Sequence, residues 1–444
     1  MRSRAGGIAR HRRRDLLAAG ALLIFGIVLV LPYTGPDVRW APDSLFYMAQ
    51  MREVQGESRA DALREAFASD GAAELKRKER DLAPALRRID NPAWQTYSSR
   101  FYRRRWTVPA LAAALQPALG RRSIEDPSLV GWALLGPLLY LLLRRRFAPG
   151  VSVAVSVFCT VLPPVFYVGP VPSTDLLALS LLIAALLAAW QVRVAGLGWL
   201  PAWIALVLAL SFTRDASIVL IAATGWLALH ERSRRSTVLL ATGLLASLPA
   251  PLLFAVPFRD NLAYTFSAYR VPTDTSWSSI LSEYPHRIVS VVRHDLQYPM
   301  DTGVPPLTFV MGALVLIGLV KLYVLSDRGD PFLVLARGAG LGALVTVLIA
   351  ANYSAGRLEL VLVPSIATGL GTLAERAWPR RRAGPSRGTV ASGAAHGFDG
   401  DARTGFARLS LHLSAATSGA SRTPDDGAAP RPLVRGGPAT GAPR

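Results

Sequence analysis

The sequence predicts an all-α, polytopic integral membrane protein with about ten transmembrane helices, further helices in its outer-face loops and a disordered C-terminal tail. Three observations carry that expectation. Of 444 residues, 51% are hydrophobic and 18% charged, whereas soluble domains carry about a quarter charged residues. Mean hydropathy is +0.31. The apolar residues gather in runs, and arginines crowd the links between them, where they orient helices in a bilayer. The net charge of +19 would also suit a nucleic-acid binder. However, the chain has no zinc-finger spacing and no basic face interleaved with base-stacking aromatics, so the expected partner is the lipid bilayer and not nucleic acid.

The elements follow in order. A basic segment, 1–14, ends in Arg10-His-Arg-Arg-Arg14 and precedes the apolar run Leu16–Leu31. That run is long for a signal-peptide core, and Pro32-Tyr-Thr-Gly35 lacks a small-x-small cleavage pattern, so the reading is an uncleaved first helix with its N-terminus inside. The transmembrane domain, 15–376, continues with runs at 128–143, 150–168, 173–192, 198–212, 215–229, 236–256, 305–325, 331–350 and 357–376. The cytoplasmic links then hold Arg144-Arg-Arg146, Arg193, Arg232, Arg234, Arg235 and Arg328, and the chain leaves the last span through Arg376 and Arg380-Arg-Arg382. Short outer links hold chiefly Arg214 and Arg357. This asymmetry places both termini in the cytoplasm of a bacterial cell, with the protein in the inner membrane. The run 107–119 contains Pro109 and Pro117 and is too short to span, so it reads as a re-entrant or interfacial helix on the outer face.

Two large segments, 34–127 and 257–304, therefore face outward. The first is expected to hold helices after Asp43, after Ser58 and across 73–89, with Ser58-Arg-Ala-Asp61 resembling a capping box that has Asp in place of Glu or Gln. In the second, Ile288, Val291, Val292 and Leu296 recur at helical spacing, which predicts an amphipathic helix on the membrane surface. Trp94, Tyr97, Tyr102, Trp106, Trp277 and Tyr298 are placed as interfacial belt residues. The segment 377–444 is a cytoplasmic tail; from Ala383 onward its Gly, Ala, Pro, Ser, Thr and Arg composition buries too little apolar surface to order. The single Cys159 lies in an apolar run, which leaves no intrachain disulfide and makes it a packing residue.

Charges at the edge of a membrane are costly and so are candidates for function. Asp43, about ten residues past the first helix, is placed to act as a general base at the outer face, or as the N-cap of the helix that follows; one residue can do both. Arg105, the last of Arg103-Arg-Arg105, starts the embedded 107–119 segment and offers a fork that matches phosphate, whether of a particular lipid or of ordinary anionic headgroups. Arg214 and Asp215 sit between two runs whose combined length exceeds one helix, which makes a tight outer turn of them. Arg357 and Glu359 form a similar pair at the last span. Asp175 reads as helix-start chemistry. The sequence has no Walker loop, dinucleotide fingerprint, HExxH or GxSxG with partners, and its histidines form no i,i+4 pair in a span, which argues against ATP-driven transport and zinc proteolysis.

The arrangement resembles the GT-C superfamily of polyprenyl-phosphate-sugar-dependent glycosyltransferases. Asp43-Ser-Leu-Phe-Tyr47 is similar to the family's acidic-then-Tyr pattern in the first outer loop. Arg105-Trp-Thr-Val-Pro-Ala-Leu-Ala112 resembles its Arg-x-x-x-Pro-x-Leu-Ala stretch, and Ser211-Phe-Thr-Arg-Asp215 its Thr-Arg-Glu step. Arg357-Leu-Glu-Leu-Val-Leu-Val-Pro364 resembles its Arg-then-Pro start to a late span. Two departures are Ser44 where a second acid often stands and Asp215 where Glu is usual. The resemblance implies a polyprenyl-phosphate lipid donor, Asp43 as catalytic base and Arg105, Arg214 and Arg357 as phosphate ligands. It leaves the acceptor as a glycan, lipid or protein; no cofactor is expected, and a divalent metal stays open as an alternative that nothing in the sequence supports. A transporter or flippase for a lipid or small solute, and a non-catalytic membrane scaffold, are the competing expectations.

Overall fold

The computed structural model describes residues 2–34, 39–82, 84, 87–254, 256–267, 270–301, 305–350 and 359–377. The tail expected to be disordered, Arg357 and the 35–38 segment with Asp37 lie outside them. Among the described residues the chain is helical throughout, with no strand. Four helices are long and apolar enough to cross a membrane: Arg13–Tyr33, Asp126–Leu143, Asp175–Ala195 and Arg234–Leu253. The apolar windows of the middle two are 72% buried, whereas those of the first and last are 17% and 28% buried. Leu16, Leu17 and Ile24 on the first helix, and Leu245, Leu252 and Leu253 on the last, are exposed. Helices apolar all round, with leucines turned outward, suit a hydrocarbon surrounding and not water.

In chain order the helices are α1 Arg2–Val30, α2 Pro42–Val54, α3 Arg59–Ala66, α4 Asp70–Glu79, α5 Pro92–Tyr102, α6 Thr107–Leu119, α7 Asp126–Leu143, α8 Pro149–Thr160, α9 Pro163–Val168 and α10 Asp175–Ala195. They continue with α11 Leu200–Ser211, α12 Ser217–Glu231, α13 Arg234–Ser247, α14 Pro249–Leu253, α15 Phe258–Phe266, α16 Trp277–Asp301, α17 Pro305–Val320, α18 Pro331–Ala350 and α19 Val363–Ala377. Most predicted runs match these elements. The run 150–168 splits because Pro163-Pro164 cannot continue a helix, and α9 restarts on those prolines.

Two apolar cores result. The bundle core joins α7, α8, α10, α11, α12, α18 and α19 around Trp132, Trp203, Leu182 and Leu220. Helices approach closely at glycine: Gly131 on α7 lies against the Leu176–Leu177 backbone, and Gly338 and Gly342 on α18 lie against Val219–Ala223 of α12. Small residues four apart let two helices pack backbone to backbone, a favoured device in membranes. The second core lies between α1 and α7 in sequence and is joined by α15, where Phe46, Phe67, Trp94, Phe101, Tyr102, Val108 and Tyr264 gather around α2.

This second core corrects three expectations. Trp94 and Tyr102, placed in an interfacial belt, are buried in it. The helix expected over 73–89 stops at Glu79; Pro84 disfavours helix in the residue before it, and the Glu79 carboxylate instead accepts from the backbone N–H groups of Arg88 and Ile89 at 2.9 and 3.0 Å. Asp43 is not the N-cap. Ala41 holds that position, Pro42 is the first helical residue, and the Ser44 hydroxyl accepts the orphan N–H of Ala41 at 3.3 Å. The Ser58 cap does form, its hydroxyl accepting from the N–H of Asp61 at 3.3 Å and donating to the Asp61 carboxylate at 2.6 Å.

Candidate functional site

The site is built from α2, the α5–α6 junction, the start of α10 and the α11–α12 turn. The segment before α10 is hitched to α2 and to the residues leading into it: Ser44 Oγ on α2 donates to the Pro172 carbonyl at 2.7 Å, and Arg39 N–H, ahead of α2, to that of Pro170 at 3.2 Å. The start of α6 is hitched to the α11–α12 turn, since Thr107 N–H donates to the Phe212 carbonyl at 3.1 Å and its hydroxyl to Ala209 at 3.1 Å. Segments over a hundred residues apart in sequence are thus held at one end of the bundle.

Within that frame Asp43 Oδ1 accepts from the Tyr102 hydroxyl at 2.6 Å. One turn along α2, the Tyr47 hydroxyl accepts from Arg105 Nη1 at 2.8 Å and shares a hydrogen bond with Thr174 Oγ1 at 3.3 Å. The two tyrosines meet edge to face with centroids 5.6 Å apart, and the Arg105 guanidinium lies 5.2 Å from the Tyr102 ring centre. Next to Thr174, Asp175 opens α10 and pairs with Arg214 from the α11–α12 turn. The neighbouring Asp215 pairs with Arg104. Asp43, Arg105 and Arg214 are therefore joined in one network, through Tyr102, Tyr47 and the Thr174–Asp175 step.

The charges of this network are set by burial and by each other. Burial, and then the Asp43 carboxylate, push the Tyr102 hydroxyl well above the usual tyrosine range, so it stays a proton donor. Burial works against the charge of Arg105, but Tyr47, Asp215, Tyr102 and Asp43 outweigh it and hold the guanidinium above its ordinary value. Its Nε has no hydrogen-bond partner among the described residues. Arg105 is thus held by the Tyr47 hydroxyl and an aromatic face, while Arg214 is matched to a carboxylate that is 2% exposed. Among the described residues no three His, Cys, Asp or Glu side chains gather as metal ligands would.

The sequence reading missed the partner roles of Tyr47, Tyr102, Thr174 and Asp175, although it noted Tyr47 in the acidic-then-Tyr pattern and Asp175 at a helix start. Asp175 is the first residue of its helix, as expected, yet it is also the counter-ion of Arg214. The signal was present, because an arginine between two apolar runs requires a buried partner, and Asp175 heads the preceding long apolar run. Arg214 and Asp215, read as one pair, turn to different partners. Neither a family model nor a curated protein matches the chain.

Proposed function

We propose that the chain is a GT-C-type glycosyltransferase with about ten spans and both termini cytoplasmic, moving a sugar from a polyprenyl-phosphate donor to an acceptor at the outer face of a bacterial inner membrane. The span count takes the four long helices together with α8–α9, α11, α12, α17 with the turn after it, α18 and α19. One observation carries the reading: Asp43, Arg105 and Arg214, far apart in sequence, are brought together through Tyr102, Tyr47 and the Thr174–Asp175 step. Helix capping or headgroup contact would not require that meeting.

The chemistry that fits is a single displacement with inversion. Asp43 takes the proton of an acceptor hydroxyl, whose oxygen bonds to the anomeric carbon as the bond from that carbon to the phosphate oxygen breaks. The polyprenyl phosphate leaves with the electron pair, and Arg105 stabilises the charge developing on it. Arg105 suits this better than Arg214, because its side-chain partner is a hydroxyl and its fork is not already matched to a carboxylate. Arg214 then acts as a positioning residue, tying the α11–α12 turn to the start of α10. The transporter alternative calls for a charged pair at mid-membrane, whereas Arg214 meets Asp175 at a helix start.

The test is transfer from a polyprenyl-phosphate sugar in proteoliposomes. Asp43→Asn and Asp43→Ala are expected to lower the rate by about 10²–10⁴-fold, the usual contribution of a general base. Full transfer by both variants would overturn the proposal.

A further inference from the structure

One face of α5 carries a row of side chains that the Asp43 network does not use. Ala93, Thr96, Tyr97, Arg100 and Arg103 follow the i, i+3, i+4, i+7, i+10 spacing of a single helix face. Trp94, Ser98, Phe101 and Tyr102 are buried on the other side of the same helix. Pro92, Ala93, Thr96, Tyr97 and Arg100 line a shallow concavity of about 560 Å³ that is open to solvent over most of its extent. The Arg100 guanidinium rests 3.8 Å from the centre of the Tyr97 ring and 5.3 Å from that of Phe101. Its Nε and the Tyr97 hydroxyl are shielded from water, and neither has a hydrogen-bond partner among the described residues. Arg103 is exposed, and its charge adds to burial in holding Arg59 below its ordinary pKa.

We infer that this face of α5 binds an anionic glycan, which serves as the acceptor of the transfer; the acceptor role rests on the glycosyltransferase reading, and the binding does not. The concavity is too large for a lone ion. Pro92 and Ala93 offer an apolar surface to the C–H face of a sugar ring, Tyr97 carries the stacked Arg100 guanidinium, and Thr96 offers a hydroxyl. Arg100 and Arg103 match carboxylate or phosphate substituents as a lysine or neutral side chain would not. Ala93 to Arg103 covers about 15 Å of helix, the reach of a short oligosaccharide. The row ends two residues before Arg105, so a chain lying along it leads toward the Asp43 network.

The test uses the full-length protein in nanodiscs of zwitterionic lipid. The probes are a tetramer of galacturonic acid and its neutral methyl ester, with binding read by calorimetry. The acidic probe is expected to bind at least about 10-fold more tightly than the ester, and Arg100→Gln and Tyr97→Ala to weaken it by about 10-fold each. Arg100→Gln should retain the wild-type melting temperature, whereas Tyr97→Ala is expected to lower it, because its ring packs on Phe101 and Tyr264. Asp43→Asn should bind the acidic probe as wild type does. Absence of acidic-probe binding, equal binding of both probes, or no loss in the Arg100 and Tyr97 variants would each overturn the inference. So would loss of probe binding on adding phosphatidylglycerol to the discs, which would make the face a headgroup site. Probe binding in a wild-type protein that transfers no sugar would sink the glycosyltransferase reading and leave the glycan site standing.

Discussion

Tyr102 donates to Asp43 at 2.6 Å while Arg105 lies 5.2 Å from the centre of its ring, so one side chain touches both the base and the phosphate ligand proposed here. A hydrogen bond to a charged group contributes about 1.5–3 kcal/mol. Tyr102→Phe is therefore expected to lower kcat by about 10–100-fold with little change in donor KM, as transfer kinetics would report. The same residue gives a pH dependence. Its folded pKa lies above the ordinary value, first through burial and then through Asp43, so the native state keeps a proton that the unfolded chain releases. Its contribution is complete below about pH 10 and is lost as pH rises toward the folded value. Thermal unfolding in detergent should fall more steeply above that pH for wild type than for Tyr102→Phe. Arg214 and Asp175 form a buried pair whose side chains are 11% and 1% exposed. Arg214→Met leaves a carboxylate without its counter-ion and should cost about 3–5 kcal/mol of stability. The double variant Arg214→Met with Asp175→Asn should recover most of that, and if it melts no higher than the single variant the pairing account fails.

The helices of the bundle were legible because each needs only an apolar run and a terminator, both local properties of the chain. Where the reading failed, the deciding contact was distant. Trp94 and Tyr102 have the composition of interfacial residues, but α2, α3 and α15 fold over them, and no local pattern announces that core. Asp43 has the sequence context of a cap, yet Pro42 takes the first helical position and Ser44 supplies the capping oxygen. Asp43, Arg105 and Arg214 were legible as charges costly to bury, but their partners were not. Tyr47 and Tyr102 look like ordinary aromatics until α5 is laid across α2. The α12–α18 contact belongs to this scale as well. A Cβ at Gly338 would lie 2.7 Å from the Ala222 carbonyl oxygen, and one at Gly342 2.7 Å from the Ala222 Cβ. Gly338→Val and Gly342→Val are each expected to destabilise the bundle by about 1–3 kcal/mol through overpacking, measured as a lower melting temperature in detergent; unchanged melting in both would remove close packing as the basis of this contact.

Across the whole molecule, charge pairs gather at the two ends of the bundle. At one end lie Asp15 with Arg144 at 2.8 Å, Arg146 with Asp330 and Glu375 at 2.5 and 2.8 Å, and Arg193 with Glu231 at 2.5 Å. At the other lies the network of Asp43, Arg105 and Arg214. The first end carries the arginine-rich links that the sequence assigns by expectation to the cytoplasm, and that assignment has a topology test. Cys159 is buried, so new cysteines report on their own positions. Ala60→Cys in intact cells is expected to react with a membrane-impermeant maleimide, and Arg234→Cys only after lysis; the reverse pattern would invert the protein. The central claim is that one end of the bundle separates donor binding from proton removal. It is tested most directly by measuring, on the same nanodisc preparation, binding of a polyprenyl-phosphate sugar and its transfer. Asp43→Asn is predicted to bind the donor as wild type does and to transfer no sugar, while Arg105→Ala loses donor binding. Transfer at the wild-type rate by Asp43→Asn, or unaltered donor binding by Arg105→Ala, would contradict the account.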